Sequence, residues 1–253
     1  MSSSKPRIIG VIPARFGSSR FPGKILASVA GKSMIQRVYE QSLKASLIDE
    51  LYVAVDDPRV LEHVQQFGGK AVLTSPHHQS GTDRIAEVVS KMACEIVVNV
   101  QGDQPLIDPE MIDLAIQPMI TDASIPMSTI KARILRPEDL HNPNKVKVVV
   151  DENDFALYFS RSLVPFPRDQ KENIEAYEHL GLYVYRRDFL LQYSKWPQSR
   201  LEKIEMLEQL RVMERGYQIK VIEVSHSLSE VSGFCVDTPD DLAKLEQLLA
   251  GKI

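Results

Sequence analysis

The sequence predicts an α/β fold with a mainly parallel sheet and an inserted antiparallel lobe. Three observations carry this. Residues 7–13 and 95–100 are almost continuous apolar runs, the pattern of strands buried on both faces. Over the first half of the chain such runs alternate with stretches whose apolar residues recur at helical spacing. After Pro137 the pattern changes to two β-branched or aromatic runs around a short polar turn, which is hairpin chemistry. The 253 residues, 43% hydrophobic and 25% charged, suffice for one large domain with its own core.

The elements follow in order. A first strand over 7–13 stops at Pro13, which cannot donate to a ladder, and leads into a loop over 14–24. A helix over 34–46 presents Ile35, Val38 and Ser42 on one face, with Ser33 as its N-cap. A strand over 51–55 precedes a helix over 58–67 that Gly68 and Gly69 terminate. Then come a strand at 71–73, a helix over 82–92, a strand over 95–100, a helix over 109–119 and a strand over 125–132. The segments 145–150 and 155–160 form the hairpin, and a strand over 180–185 completes an antiparallel extension, an inserted lobe at about 138–190. The α/β alternation resumes with a helix over 201–214 that turns Ile204, Leu207 and Leu210 into the core, a strand over 218–224 and a helix over 239–249. No repeat or linker divides the chain, so 1–253 reads as one domain.

Composition narrows the function. Thirty basic and 34 acidic residues give a net charge of −4, which argues against nucleic acid, whose binders carry a basic footprint. A local cationic pocket for a small anion is compatible with that balance. Cys94 and Cys235 lack metal-ligand spacing and read as two buried thiols in a reducing cytoplasm, with a single disulfide as the alternative. No apolar run approaches the ~18 residues of a membrane span, and residues 1–5 lack the apolar core of a signal peptide, so a cytoplasmic protein is expected.

Four stretches carry chemistry. The loop IPARFGSSRFPGK (12–24) leaves the carboxyl end of a buried strand, where open α/β sheets bind ligands. It combines Arg15, Arg20 and Lys24 with Gly17, Ser18, Ser19 and Gly23, so cations and exposed amides make a polyphosphate cradle. It matches neither GxxxxGK[ST] nor GxGxxG, and a solvated basic loop is the plain alternative. In NVQGDQP (99–105) an apolar strand runs into Asp103, a position suited either to a turn or to a hard cation shared with phosphate oxygens. In CVDTPDD (235–241) Asp237 is either a second metal ligand or part of a helix cap, a role that Thr238 or Asp240 can also fill. HHQSGTDR (77–84) offers small hydrogen-bonding groups for a nucleobase edge; adjacent histidines rarely converge on one ion, so His77 and His78 read as surface loop.

Taken in order, IPARFGSSRFPGK, HHQSGTDR, NVQGDQP, NPNKVKVV, YFSR, HLGLYVYR, EMLEQLR and VDTPDD closely resemble the bacterial 3-deoxy-manno-octulosonate (KDO) cytidylyltransferases, along essentially the whole chain. CMP-sialate synthetases carry a similar first loop, whereas HQSGT, YFSR and EMLEQLR discriminate. The resemblance implies a Rossmann-like nucleotidyltransferase sheet, Mg2+-dependent transfer of CMP from CTP to the anomeric hydroxyl of KDO with release of pyrophosphate, a role in lipopolysaccharide biosynthesis, and a homodimer. By motif it implies Pro13, Ala14, Arg15 and Lys24 around the CTP phosphates, Gln79, Ser80 and Gly81 at the nucleotide, and Asp103 and Asp237 on magnesium. It implies Gln101, Arg161, His179, Tyr185, Glu208 and Gln209 around the sugar acid, with Arg161 matching its carboxylate as a guanidinium fork. Arg15, Lys24, Asp103 and Asp237 are thereby the catalytic candidates. The chain departs from the family pattern at Ile25, where a proline is usual, at Gln104, where an acid is usual, and at Cys235 or Val236, where a glycine is usual. Gln104 removes a charge beside the metal. The alternatives are a CMP-sialate-type or other sugar-acid nucleotidyltransferase and a nucleotide-binding module without turnover; Lys24, Asp103 and Asp237 argue against the latter.

Overall fold

Strand β1 (Ile8–Ala14) lies in the interior of the sheet with both faces covered, which is why its sequence is a continuous apolar run. The computed structural model describes residues 5–17, 21–169 and 175–251; Ser18, Ser19 and Arg20 of the first loop, and residues 1–4 of the expected polar tail, lie outside them. The chain continues through a ribbon of β2 (Ser28–Val29) and β3 (Lys32–Ser33), then α1 (Met34–Ser42), β4 (Glu50–Val55), α2 (Pro58–Gln66), β5 (Ala71–Leu73), α3 (Gly81–Ser90), β6 (Ile96–Asn99), α4 (Pro109–Thr121) and β7 (Met127–Arg133). It then forms β8 (Lys147–Val150), β9 (Ala156–Ser160), β10 (Tyr177–Arg186), α5 (Arg187–Tyr193), α6 (Arg200–Glu205), α7 (Leu210–Glu214), β11 (Lys220–Val224), α8 (His226–Ser232) and α9 (Pro239–Leu249).

The main sheet runs β11-β7-β10-β6-β1-β4-β5, with β1, β4, β5 and β6 mutually parallel and β11 parallel to β7. One apolar layer packs α1, α2 and α4 on one face, with Ile35, Val38, Val60, Val64 and Ile112 at its centre. The other packs α3, α5 and α7, with Ile85, Val88, Leu190, Leu210 and Val212. Helix starts follow side-chain caps: Ser33, Asp57, Ser80, Asp108 and Thr238 each accept a first-turn amide.

The expected α/β sheet with an antiparallel addition is present, and several details differ. The strand expected over 180–185 is longer and central: β10 pairs antiparallel with β6 and β7 and carries β8 and β9 beyond. Helix α1 stops at Ser42, short of 46, because the Asp113 carboxylate of α4 takes the amides of Ser46 and Leu47. The helix expected over 201–214 is two helices. Met206 adopts a left-handed conformation (φ 54°, ψ 46°) between α6 and α7. Ile204, expected in the core, is therefore exposed, while Leu207 and Leu210 are buried as expected. Helices α5 and α8 lie outside the sequence reading. Both cysteines are free thiols, but neither is buried as expected, Cys94 being half-buried and Cys235 exposed in the segment before α9; among the described residues no helix is long and apolar enough to cross a membrane.

Candidate active site

Connections leave β1 toward β4 on one side and reach β6 on the other, so a crevice opens beyond the carboxyl ends of β1 and β6. A cavity of about 350 Å3 fills it. Its lining comes from the end of β1 (Pro13, Ala14, Arg15), the next turn (Lys24, Ile25), the loop into α3 (His78, Gln79, Ser80, Gly81), Arg84, the loop after β6 (Gln101, Gly102, Asp103) and Asp237. All the residues expected at CTP and at the metal are thus brought together, with Gln101 beside them.

Close backbone approach makes this possible. A Cβ on Gly102 would stand 3.0 Å from the Pro13 carbonyl oxygen, so only glycine lets the two strand-end loops touch. Gly23 sits at φ 70° and its amide returns to the Phe16 carbonyl, which turns Lys24 back toward the crevice. The Lys24 ammonium then lies 3.4 Å from Asp103 Oδ2 and 3.2 Å from Asp237 Oδ1 and donates to the Val236 carbonyl at 2.7 Å. The Val236 amide bonds the Asp103 carbonyl, tying the two acidic segments directly. Thr238, in a reciprocal pair with Asp241, caps α9, so capping does not consume the Asp237 carboxylate.

Two departures from the family pattern meet here: the Gln104 amide nitrogen stands 3.7 Å from Cys235 Sγ, and its buried Oε1 has no hydrogen-bond partner. Two further residues escaped the sequence reading. His78, expected on a surface loop, is half-buried at the cavity and pairs with Glu87 at 2.6 Å. The Ser75 amide and His78 hold Glu87 below the usual carboxylate range. Arg84 is buried, bonding Thr74 Oγ1 at 2.6 Å and Asp56 Oδ2 at 3.2 Å. Its signal was an arginine in the opening turns of a helix, where the helix dipole disfavours a cation.

A second, deeper cluster adjoins the cavity. The ladder of β10 shifts register between Leu180 and Tyr183, and at this irregularity Gly181 lies against Gln101. His179 Nε2 is 2.9 Å from Thr129 Oγ1, whose own proton goes to the Leu182 carbonyl at 2.7 Å. That assigns the proton of the ring to Nε2 and leaves Nδ1 an acceptor. Tyr183 donates to Gln209 Oε1 at 3.2 Å, and Thr82 donates to Glu208 Oε2 at 3.0 Å. Glu208 Oε1 and Gln209 Nε2 are buried without hydrogen-bond partners. Tyr185 is fully buried and stacks between Tyr183 and Tyr193. Arg161 stands apart from the cavity lining: Nε donates to the Glu205 carbonyl at 2.6 Å, Nη1 to Pro143 at 2.9 Å and Nη2 to Met206 at 3.3 Å.

Burial pushes the His179 pKa down to about 3. The unfolded chain takes up this proton near its ordinary value of about 6.5, whereas the folded chain resists it down to about 3. Stability is therefore lost as pH falls below the unfolded value, by about 2 kcal/mol between pH 7 and 5 from this residue alone. Urea unfolding of the wild type and His179→Gln at the two pH values checks this. The variant should lose about 2 kcal/mol less on acidification; equal losses would show that His179 is not buried neutral.

Comparison with known proteins adds to this geometry. The sequence profile of the cytidylyltransferase family matches residues 9–222. A 3-deoxy-manno-octulosonate cytidylyltransferase of Trichlorobacter lovleyi is 49% identical over 251 residues, covering 95% of this chain and 98% of the relative. The protein of the same name from Geobacter sulfurreducens is 49% identical over 252 residues, covering 96% and 99%. The solved structure of a CMP:2-keto-3-deoxy-manno-octonic acid synthetase complexed with CTP is similar with a TM-score of 0.91 at 45% identity, covering 98% of this chain and all of the other.

Proposed function

The chain belongs to the cytidylyltransferase family, and from that premise we propose that it transfers the cytidylyl group of CTP to the anomeric hydroxyl of KDO. The observation that carries the reading is the convergence of Lys24, Asp103 and Asp237 on one cavity beside the Ser80–Gly81 helix start. In the reaction the anomeric hydroxyl oxygen attacks the α-phosphorus of CTP and its proton passes to solvent. A bond forms between them, the bond from the α-phosphorus to the bridging oxygen breaks, and pyrophosphate leaves with that electron pair.

Arg15 and Lys24 supply fixed positive charge where negative charge builds up on the leaving group, so they stabilise the transition state beyond the ground state. The Ser80 amide is taken by Asp83 in the capping box, so the Gly81 amide at the N-terminus of α3, the Ser80 side of the cavity and the edge of Gln79 would lie at the nucleotide. Asp103 and Asp237 would hold Mg2+: two carboxylates that already share one cation are the hard-oxygen set this ion takes, with phosphate oxygens completing it. When bound, the ion lowers the pKa of a coordinated hydroxyl and neutralises phosphate charge.

The deeper cluster takes the sugar acid. The orphaned Glu208 Oε1 and Gln209 Nε2, with His179 Nδ1 and Gln101, provide acceptors and donors for its hydroxyls; Tyr185 fixes the ladder behind them. Arg161 has five N–H groups. Three are anchored to carbonyl oxygens, which leaves two for the acid's carboxylate on a guanidinium that cannot swing away. Residues 138–190 supply both the edge strand β9 and β10 of this sugar-binding lobe. A homodimer face on the same lobe fits the exposed Leu157 and Phe166, together with the exposed Ile204 on α6 and Met206 just after it, where Glu205 bonds the Arg161 amide beyond β9. The product, an activated KDO, suits lipopolysaccharide biosynthesis, and the reaction is placed in the cytoplasm with its CTP.

Pyrophosphate release tests the reading, with CTP, UTP, ATP and GTP against KDO, a sialic acid and related eight-carbon acids. Turnover with CTP and KDO above every other pair is expected. Preference for sialic acid would move the substrate assignment, and CTP binding without product under saturating Mg2+ would leave a binding module.

A further inference from the structure

The break at Met206 removes helical support from the segment that carries Glu208. Between α6 and α7 the Met206 and Leu207 amides both reach back to the Glu202 carbonyl, and the next helix begins at Leu210. The Glu208 carbonyl takes the Arg211 amide at 3.1 Å, which holds its backbone, and side chains orient its carboxylate. Arg211 is the cation among them. Its Nε donates to Glu202 Oε2 at 2.8 Å and its Nη2 to Glu202 Oε1 at 2.5 Å, a two-pronged pair with both residues buried. Nη1 donates to the Trp196 carbonyl at 3.2 Å, and the guanidinium lies 5.0 Å over the Tyr193 ring. From this clamped position Nη2 stands 3.6 Å from Glu208 Oε1, the oxygen that has no hydrogen bond, while the Tyr193 hydroxyl donates to the Glu208 carbonyl at 2.9 Å.

We infer that Arg211, locked by Glu202, is a positioning residue that fixes the Glu208 carboxylate toward the sugar acid. The inference rests on the reading of the deeper cluster as the sugar-acid site and deepens it. One guanidinium serves two carboxylates. Glu202 takes both of its strong hydrogen bonds and Glu208 feels mainly its charge, so Glu208 Oε1 keeps its lone pairs for a substrate hydroxyl. A further contribution is electrostatic. Burial pushes the Glu208 pKa up, and Asp83 on α3 and Glu202 on α6 push the same way; Arg211 and the Thr82 hydroxyl oppose them. The phenols of Tyr183 and Tyr185 on β10 and of Tyr193 on α5 also face this carboxylate and stay protonated, because burial raises their pKa values. Arg211 is thus the cation that opposes the rise of the Glu208 pKa.

The test is the double variant Glu202→Met/Arg211→Met, which removes both charges together and strands neither in the interior. With folding confirmed by circular dichroism, KM for KDO should rise about tenfold with KM for CTP unchanged. The acid limb of kcat/KM for KDO should move up by about one pH unit. Arg211→Lys keeps the charge but loses the fork. It should raise KM for KDO about fivefold while leaving the acid limb near its wild-type position. A folded double variant with wild-type KM and acid limb overturns the inference. If the double variant does not fold, a wild-type KM for KDO in Arg211→Lys overturns it. Glu208→Gln in the otherwise unchanged chain separates the two layers. If it leaves KM for KDO unchanged, the sugar-site reading fails; if it raises KM while the double variant does not, only the role of Arg211 fails.

Discussion

Asp103→Asn is expected to lower kcat by on the order of a hundredfold or more, about 3 kcal/mol of transition-state stabilisation, with the fold intact. The substitution keeps shape and volume and removes one negative charge. The Asp103 backbone still accepts from the Val236 amide, so the two acidic segments stay joined. The side chain is one third exposed, and its contact with Lys24 at 3.4 Å is a partly solvated ion pair worth under about 1 kcal/mol of stability. Thermal unfolding should hardly move. Turnover should fall because half of the proposed carboxylate pair for Mg2+ is gone. The variant should need more Mg2+ for its residual activity, and chelation should abolish turnover in both proteins. Activity within threefold of wild type at every Mg2+ concentration would remove Asp103 from the metal site.

The sequence made this pair of carboxylates legible for a physical reason. Asp103 follows a buried strand in a parallel sheet, and parallel strands deliver their carboxyl ends to one edge. Asp237 was readable only as a choice between cap and ligand, and the structure gives the cap to Thr238. What the sequence hid depends on long-range contacts. The run around β10 is apolar on both faces, as a central strand should be, yet the preceding hairpin suggested a peripheral lobe. Nothing local in IEMLEQ marks a helix break, since it contains neither glycine nor proline. The break is imposed from outside: Ser160 and the Arg161 amide hold the Glu205 carboxylate, and the Arg161 guanidinium takes the Glu205 and Met206 carbonyls. Through that left-handed residue Gln209 becomes buried and Glu208 half-buried beside β10, where a continuous helix would leave them on its flank. Arg84 was hidden for the related reason that its partners Asp56 and Thr74 come from another crossover.

Lys24→Met should lower kcat/KM for CTP by on the order of a thousandfold, about 4 kcal/mol. Methionine keeps most of the aliphatic stem, so the loss isolates the ammonium. That group is mostly buried, 14% exposed, and so acts through less water than Arg15 at the rim of the cavity. Its second effect runs opposite to that of Asp103→Asn. In the wild type Lys24 occupies the space between Asp103 and Asp237, where it partly neutralises the carboxylates proposed for Mg2+. Without it the pair is more negative and should take the ion at lower concentration. The two variants should therefore shift the Mg2+ dependence in opposite directions, upward for Asp103→Asn and downward for Lys24→Met, although both lose turnover. Rates measured across a Mg2+ titration at fixed CTP distinguish this from a general collapse of the cavity, which would move both in the same direction. A Lys24→Met enzyme within tenfold of wild type in kcat/KM would mean that the leaving pyrophosphate is stabilised elsewhere, with Arg15 and Arg84 as the cations that line the same cavity.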